Sequence, residues 1–171
     1  MVLLDNLLPP DTNVNILDHL ATCEWRLSRD NLSESKLLTA LNNNSGLQNI
    51  TYQDGKYCGD RILNIYGHLI LDLVSYKLGL RTYPYRFFWN CYLTPSFSKE
   101  HRDWPKPNKY KTIIYNLHTT DGGTEVDGKF YEDKMGQAKI FESNLLHKGI
   151  SCNYDNVRFN LNIMFGDRNE K

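Results

Sequence analysis

"VRFNLNIMF", residues 157–165, alternates with a period of two. Val157, Phe159, Leu161, Ile163 and Phe165 leave one face of an extended strand, and Arg158, Asn160, Asn162 and Met164 leave the other. The first face is wholly apolar and has to be covered. The second is polar without being a surface of charges, which predicts that it looks into a cavity. Working back along the chain, "YRFFWNCYL" (85–93), "YKTIIYNL" (110–117) and "QAKIFES" (137–143) also read as strands, separated by clusters of Pro, Gly, Asn and Asp.

The cover for the apolar face comes from the first half. From Asp60 to Leu80, Ile62, Tyr66, Leu69, Leu73, Tyr76 and Leu80 recur at a 4-3-4-3-4 spacing, the mark of one face of a long helix, and Gly79 suits its C-terminus. A shorter amphipathic helix is predicted from Asp11 to about Ala21, with Asp11 as N-cap and Val14, Ile16, Leu17 and Leu20 as its apolar positions. "CEWRLS" (23–28) reads as a strand, residues 33–41 as a brief helix and "NNNSG" (42–46) as turn chemistry. Helices followed by a run of strands define an α+β chain with an antiparallel β body.

At 171 residues, with 40% apolar residues and only 6 prolines and 11 glycines, the chain suits one packed domain over residues 1–171. No repeat, linker or low-complexity tract divides it. Twenty basic and twenty acidic side chains cancel, which argues against a phosphate-backbone partner. Lys106, Lys109 and Lys111 form a local basic strip that reads as a solvated loop. The cysteines at 23, 58, 91 and 152 are widely spaced, with no C-x-x-C pair and no secretory signal, as expected for buried thiols in a reducing compartment. No apolar run approaches the ~18 residues of a membrane span, so a soluble, cytoplasmic protein is expected.

The chemistry starts at "KEHRDWP", residues 99–105. On a strand, His101 and Asp103 project together while Arg102 points away, and an imidazole and a carboxylate aimed at one point can hold a metal. Two protein ligands bind weakly, so a third is sought. His19 and His68 lie on predicted helices and are set aside; His118 opens the "HTTDGG" loop, where a turn or surface role fits better. His147 follows the strand "AKIFES" and precedes Gly149, at a strand edge that a closing β-barrel would bring to His101 and Asp103.

H-x-D at 101–103, His147 and then Arg158 on a final strand resemble the Fe(II)- and 2-oxoglutarate-dependent dioxygenases, and within them the prolyl-4-hydroxylase-like branch. The resemblance covers roughly residues 85–166. Tyr92 lies nine residues before His101, where that branch commonly has a tyrosine touching the co-substrate; "TIIYNL" is similar to the strand after the H-x-D, and "DGGT" to a Gly-Gly turn. "AKIFESNLLHKG" is similar to the segment carrying the second histidine, and "RFNLNIMF" to the closing strand.

That resemblance implies a double-stranded β-helix, a jelly-roll or cupin-like barrel over about 85–166, with helical support over about 1–84 packed on one sheet. It implies an oxidoreductase that binds Fe(II) through His101, Asp103 and His147, the facial set of two imidazoles and one carboxylate, with 2-oxoglutarate and O2 as co-substrates. Arg158 would grip the far carboxylate of 2-oxoglutarate with its planar two-pronged donor; Tyr92, and Tyr115 on the strand beside it, are candidates to add a hydroxyl. Halogenating relatives replace the carboxylate with a small residue, so Asp103 points to hydroxylation, with release of succinate and CO2. The substrate implied is a peptide, protein or amino-acid-like small molecule. Departures lie away from the ligands: Pro95 stands where a glycine is usual, Met164 where a tryptophan is usual, and Arg158 comes slightly late. A nucleic-acid demethylase would carry a second arginine at 164, and a cupin-like metal- or ligand-binding module would use the same barrel without turnover. Residues 42–59 and 94–110 are expected to be loops that frame the mouth.

Overall fold

The computed structural model describes residues 1–27, 46–93, 97–107, 109–153 and 157–168. Its elements in chain order are β1 (Val2–Leu4), α1 (Pro10–Thr22), β2 (Arg26–Leu27), β3 (Leu47–Gln53), β4 (Lys56–Tyr57), α2 (Arg61–Leu78), β5 (Thr82–Tyr92), β6 (Lys111–Asn116), β7 (Thr120–Val126), β8 (Lys129–Asp133), β9 (Ala138–Glu142), β10 (His147–Ile150) and β11 (Arg158–Asp167). All pairings are antiparallel. The large sheet runs β1-β9-β6-β11-β5-β3-β2, with β4 on β3; the small sheet runs β10-β7-β8.

β11 is the centre of the large sheet, flanked by β5 and β6, and its alternation decides what each face meets. Leu161, Ile163 and Phe165 are fully buried in one apolar cluster with Leu63, Ile70, Leu71 and Val74 of α2 and Ile16 and Leu20 of α1. Each such side chain contributes about 1.5–3 kcal/mol of burial. The other face turns to the small sheet: Ile114 of β6 and Phe141 of β9 meet Val126 of β7. Two antiparallel sheets facing each other, with helices on the outside of the larger, make the double-stranded β-helix.

Several sequence expectations change. In α2, Asp60 is the N-cap, accepting from the Leu63 amide (2.9 Å), and Gly79 ends the helix in the left-handed conformation. The buried face, however, is Leu63, Gly67, Ile70, Leu71 and Val74; of the expected stripe, Tyr66, Leu73 and Leu80 pack at the margin of the core, and Ile62, Leu69 and Tyr76 are exposed. Both stripes are apolar, and Gly67 decides between them: a Cβ there would lie 2.6 Å from the Phe87 ring, so only the glycine face lets the helix settle on β5. Asp11 is not the N-cap of α1; it sits in the first turn after Pro9, whose carbonyl accepts from the amides of Thr12 and Asn13.

The "CEWRLS" strand shrinks to β2. The brief helix at 33–41 lies outside the described residues. Residues 42–59 are not simply a mouth loop, because β3 within them pairs with β5 along the large sheet. The first half is therefore not only helical support: β1, β2, β3 and β4 all join the large sheet. "DGGT" is no turn but part of β7. A Cβ on Gly122 would lie 2.9 Å from the Ile150 carbonyl oxygen and one on Gly123 2.4 Å from that of Tyr131, so the glycine pair serves close strand approach.

Candidate active site

Sequence distance between His101 and His147 is closed by a β-bridge: each backbone amide donates to the other residue's carbonyl at 2.9 Å. The pairing sets the two imidazoles side by side, with ring centroids 4.4 Å apart. Asp103, two residues on, turns back between them. His101 Nε2 lies 3.7 Å from its Oδ1 and His147 Nε2 lies 3.5 Å from its Oδ2. Ligand atoms of the three residues fall within 4.8 Å of one another.

Both imidazoles are oriented from behind. Nδ1 of His101 lies 2.8 Å from the Lys99 carbonyl oxygen and Nδ1 of His147 lies 3.0 Å from that of Leu145. Such bonds place the ring proton on Nδ1 and leave the Nε2 lone pair facing the site. His147 Nε2 is buried and makes no hydrogen bond, a cost in a closed interior that a metal ion removes. Burial also pushes the His147 pKa down, partly offset by Asp103, keeping the ring in its neutral, ligating form. Two neutral imidazoles and a carboxylate converging in this way fit Fe(II). The His101 side chain keeps 38% exposure against 3% or less for the other two, so access is from its side.

Sequence reasoning missed what holds Asp103. Arg86 of β5 donates to Oδ1, while Thr112 of β6 (2.7 Å) and Asn162 of β11 (3.3 Å) donate to Oδ2. Burial alone would favour the neutral acid; the Arg86 guanidinium is the strongest force against it, and the carboxyl is held well below the usual carboxylate range. Strand parity carried a usable signal, since Arg86, Asn90 and Tyr92 share one face of "YRFFWNCY".

The second half of the site lies along β10. His147 and Gly149 leave the same face, separated by roughly 7 Å of extended chain. A Cβ on Gly149 would stand 3.0 Å from Arg158 Nη1 and 2.5 Å from the Tyr92 hydroxyl, so only a glycine lets β10 pack this closely against both groups. Tyr92 and Arg158 are direct cross-strand partners, with the guanidinium 4.9 Å over the phenol ring. Burial raises the Tyr92 pKa against the opposing pull of Arg158, so the group is a neutral hydroxyl donor.

Arg158 is wholly buried and does not stand alone. Its Nε (2.5 Å) and Nη2 (3.3 Å) donate to Asp133 of β8, and Nη2 also donates to Thr124 of β7 (3.0 Å). The Asn160 carboxamide belongs with its oxygen toward the guanidinium, 3.0 Å from Nη1 and 3.1 Å from Nη2. Asp133 in turn accepts from Lys139 of β9 at 2.5 Å, and Lys139 also donates to the Tyr131 carbonyl (2.9 Å). Burial pulls the Lys139 pKa down, and Asp133 restores part of it. Burial likewise opposes the charge on Arg158, and Asp133 more than offsets that. Asp133 and Lys139 were not singled out from the sequence, although a lysine alternating with apolar residues in "AKIFE" was the available clue.

Tyr115 is the one sequence candidate that the structure places elsewhere. It points from the opposite face of β6, buried in the core beneath α1, where its hydroxyl donates to Asn13 Oδ1 at 2.6 Å. The reason is parity: Thr112 and Ile114 face the small sheet, so Tyr115 faces the helices. The histidines not chosen as ligands have other work. His118 Nε2 accepts from the Phe159 amide at 3.0 Å, and His68 packs edge-on against Phe87.

Comparison with solved structures defines the class of fold: it is the fold of 2-oxoglutarate- and Fe(II)-dependent oxygenases. The chain is similar to a 2OG-Fe(II) oxygenase family oxidoreductase from Burkholderia pseudomallei, at 16% identity and TM-score 0.68 over 96% of this chain and 83% of that one. It is also similar to a prolyl-4-hydroxylase from Pseudomonas putida (16% identity, TM-score 0.60, 98% and 92% covered). A third is the non-heme alpha ketoglutarate dependent epimerase SnoN of nogalamycin biosynthesis (12% identity, TM-score 0.70, 97% and 77% covered). No protein-family model matches the sequence, and no curated protein matches it significantly. At such identities the likeness is one of fold, and among the described residues no helix is long and apolar enough to cross a membrane.

Proposed function

We propose that the protein is an Fe(II)- and 2-oxoglutarate-dependent oxygenase that hydroxylates a C–H bond of a prolyl or other peptidyl residue, or of a small amino-acid-like molecule. The overall balance is substrate, 2-oxoglutarate and O2 to hydroxylated substrate, succinate and CO2. The observation that carries the reading is a pair of sites on one strand. His147 completes a cluster of three potential ligands, and two residues further Gly149 packs against a buried guanidinium. A metal ligand set beside an enclosed cationic end is what a five-carbon 2-oxo diacid needs.

The charges support the choice of ligand. With Lys139 protonated, Arg158, Lys139 and Asp133 sum to one positive charge in a closed interior, and a buried net charge costs several kcal/mol by general estimates unless an anion matches it. A single carboxylate does so. Arg158 Nη1, which Asp133 does not engage, and the neutral Tyr92 hydroxyl beside it would be the donors to that carboxylate. His101, Asp103 and His147 would hold the iron; bound there, it supplies the chemistry that couples decarboxylation of the 2-oxo acid to oxygen transfer from O2. Arg86 and Thr112 keep Asp103 ionised and aligned, while the two backbone-anchored imidazoles keep their lone pairs inward. Phe141, edge-on to His147 at 5.0 Å, excludes water from the rear of the cluster.

An anaerobic titration with Fe(II) and 2-oxoglutarate tests the reading. The expected result is the visible charge-transfer absorption of an iron–2-oxo-acid complex, followed by succinate release in a screen of peptides, free amino acids and nucleotides. Metal uptake with neither the absorption nor consumption of 2-oxoglutarate would replace the enzyme with a binding module on the same barrel.

A further inference from the structure

On the far side of the large sheet, the C-terminal end of α1 meets the start of α2. There His19, Cys23 and Asp60 bring an imidazole, a thiol and a carboxylate within 4.8 Å of one another. We propose that this cluster is a second metal site, one for Zn(II), that clasps α1 to α2.

The ligand types and their placement come from two independent features. His19 and Cys23 are four residues apart at the end of α1, so both side chains rise from one helical face. Asp60 arrives from another element, and its role as N-cap fixes it: Oδ1 accepts from the Leu63 amide at 2.9 Å, which leaves Oδ2 directed at the other two. His19 Nε2 is 3.1 Å from that oxygen and Cys23 Sγ is 3.9 Å from it.

Those separations bracket the ones a zinc ion imposes. With Zn–N and Zn–O near 2.0–2.2 Å and Zn–S near 2.3 Å, the edges of a tetrahedron run from about 3.3 to 3.7 Å, so small side-chain adjustments close the set. A mixed imidazole, thiolate and carboxylate set suits zinc, whereas the sulfur-free triad in the barrel suits iron. The C-terminal carbonyls of α1 add negative potential at the cation. His19 and Asp60 keep 26% and 28% side-chain exposure, enough for the ion to enter and for water to fill the fourth position. On binding, the Cys23 thiol gives its proton to solvent and its sulfur bonds the metal, with no change of oxidation state. Without the ion, the same groups form a His19–Asp60 hydrogen bond and a thiol that donates to the His19 carbonyl at 3.3 Å.

Cobalt separates the two sites because only this one contains sulfur. The full chain carrying His101→Ala and His147→Ala is titrated with Co(II) under anaerobic, reducing conditions. One equivalent is expected to bind with a thiolate-to-cobalt charge-transfer band and tetrahedral visible bands, both removed by adding Zn(II). Cys23→Ser should abolish the charge-transfer band. His19→Ala should weaken binding at least tenfold. The absence of a thiolate band, or its survival in Cys23→Ser, overturns the site and leaves a hydrogen-bonded helix contact only. A thermal-unfolding series guards against misfolded variants: Zn(II) should raise the Tm of the double-alanine protein, and Cys23→Ser added to it should remove the rise while keeping the metal-free Tm. A Zn(II)-induced rise that persists with Cys23→Ser also counts against the proposal.

Discussion

The two faces of β11 are built from alternate residues of one strand yet obey different physics. On the helix side, Leu161, Ile163 and Phe165 are interchangeable in kind: any well-fitting apolar side chain would serve, and the energy scales with area removed from water. On the side facing the small sheet, Arg158 and Asn162 are individually specified, each hydrogen-bonded to a named acceptor. Substitutions on the first face therefore tax stability and leave chemistry in place, whereas those on the second alter chemistry first. The lesson is that the apolar face supplies the stability against which the buried charges of the other face can be held.

The sharpest break is His147→Ala. It removes a proposed ligand and creates a small space beside Phe141, so Fe(II) binding and 2-oxoglutarate consumption should vanish while far-UV circular dichroism is unchanged; retained turnover would show that the space between the sheets is not the seat of the chemistry. Next is Asp133→Ala, which leaves Arg158 and Lys139 buried with no anion between them. A loss of about 3–5 kcal/mol in urea unfolding is expected, with part of it restored by millimolar 2-oxoglutarate. This variant sharpens the comparison because a residue facing the polar side of β11 would then be a stability residue through its charge alone.

The outer face is probed by Leu161→Ala, expected to cost about 2–5 kcal/mol from lost burial and the cavity left behind. Its metal stoichiometry, by calorimetric titration of the still-folded protein, should equal that of the parent. The smallest effect separates two tyrosines. Tyr115→Phe should lose about 1 kcal/mol, the worth of one buried hydrogen bond to Asn13, with no change in the KM for 2-oxoglutarate. Tyr92→Phe should raise that KM severalfold with little change in Tm. Exchange of these outcomes would place Tyr115 at the site and Tyr92 in the core.

Legibility from sequence followed the same divide. The strand "VRFNLNIMF" announced both faces because a period of two is a local property of extended chain. The same rule, applied to "YKTIIYNL", separates Thr112 from Tyr115, but which parity faces which layer depends on the neighbours of β6. For α2 the period of a helix was right and its orientation was not, since two apolar stripes competed and the choice rested on the fit of Gly67 against Phe87. The glycine pair of "DGGT" imitated a turn because close strand approach and tight turning demand the same missing Cβ. In sequence His19 is a lone helical histidine; Asp60 reaches it only in the fold.

Sequence alone determined the residue types of the candidate cluster, its order along the chain and the strand that carries Arg158, because H-x-D spacing and strand alternation are written in neighbouring residues. Tertiary structure alone decided that Arg86 secures Asp103, that Arg158 is paired through Asp133 to Lys139, and that His19, Cys23 and Asp60 meet. Each of these depends on side chains from separate elements converging in a low-dielectric interior or at a helix junction. No local pattern encodes that meeting, since its energy exists only once the sheets have closed and the helices have docked.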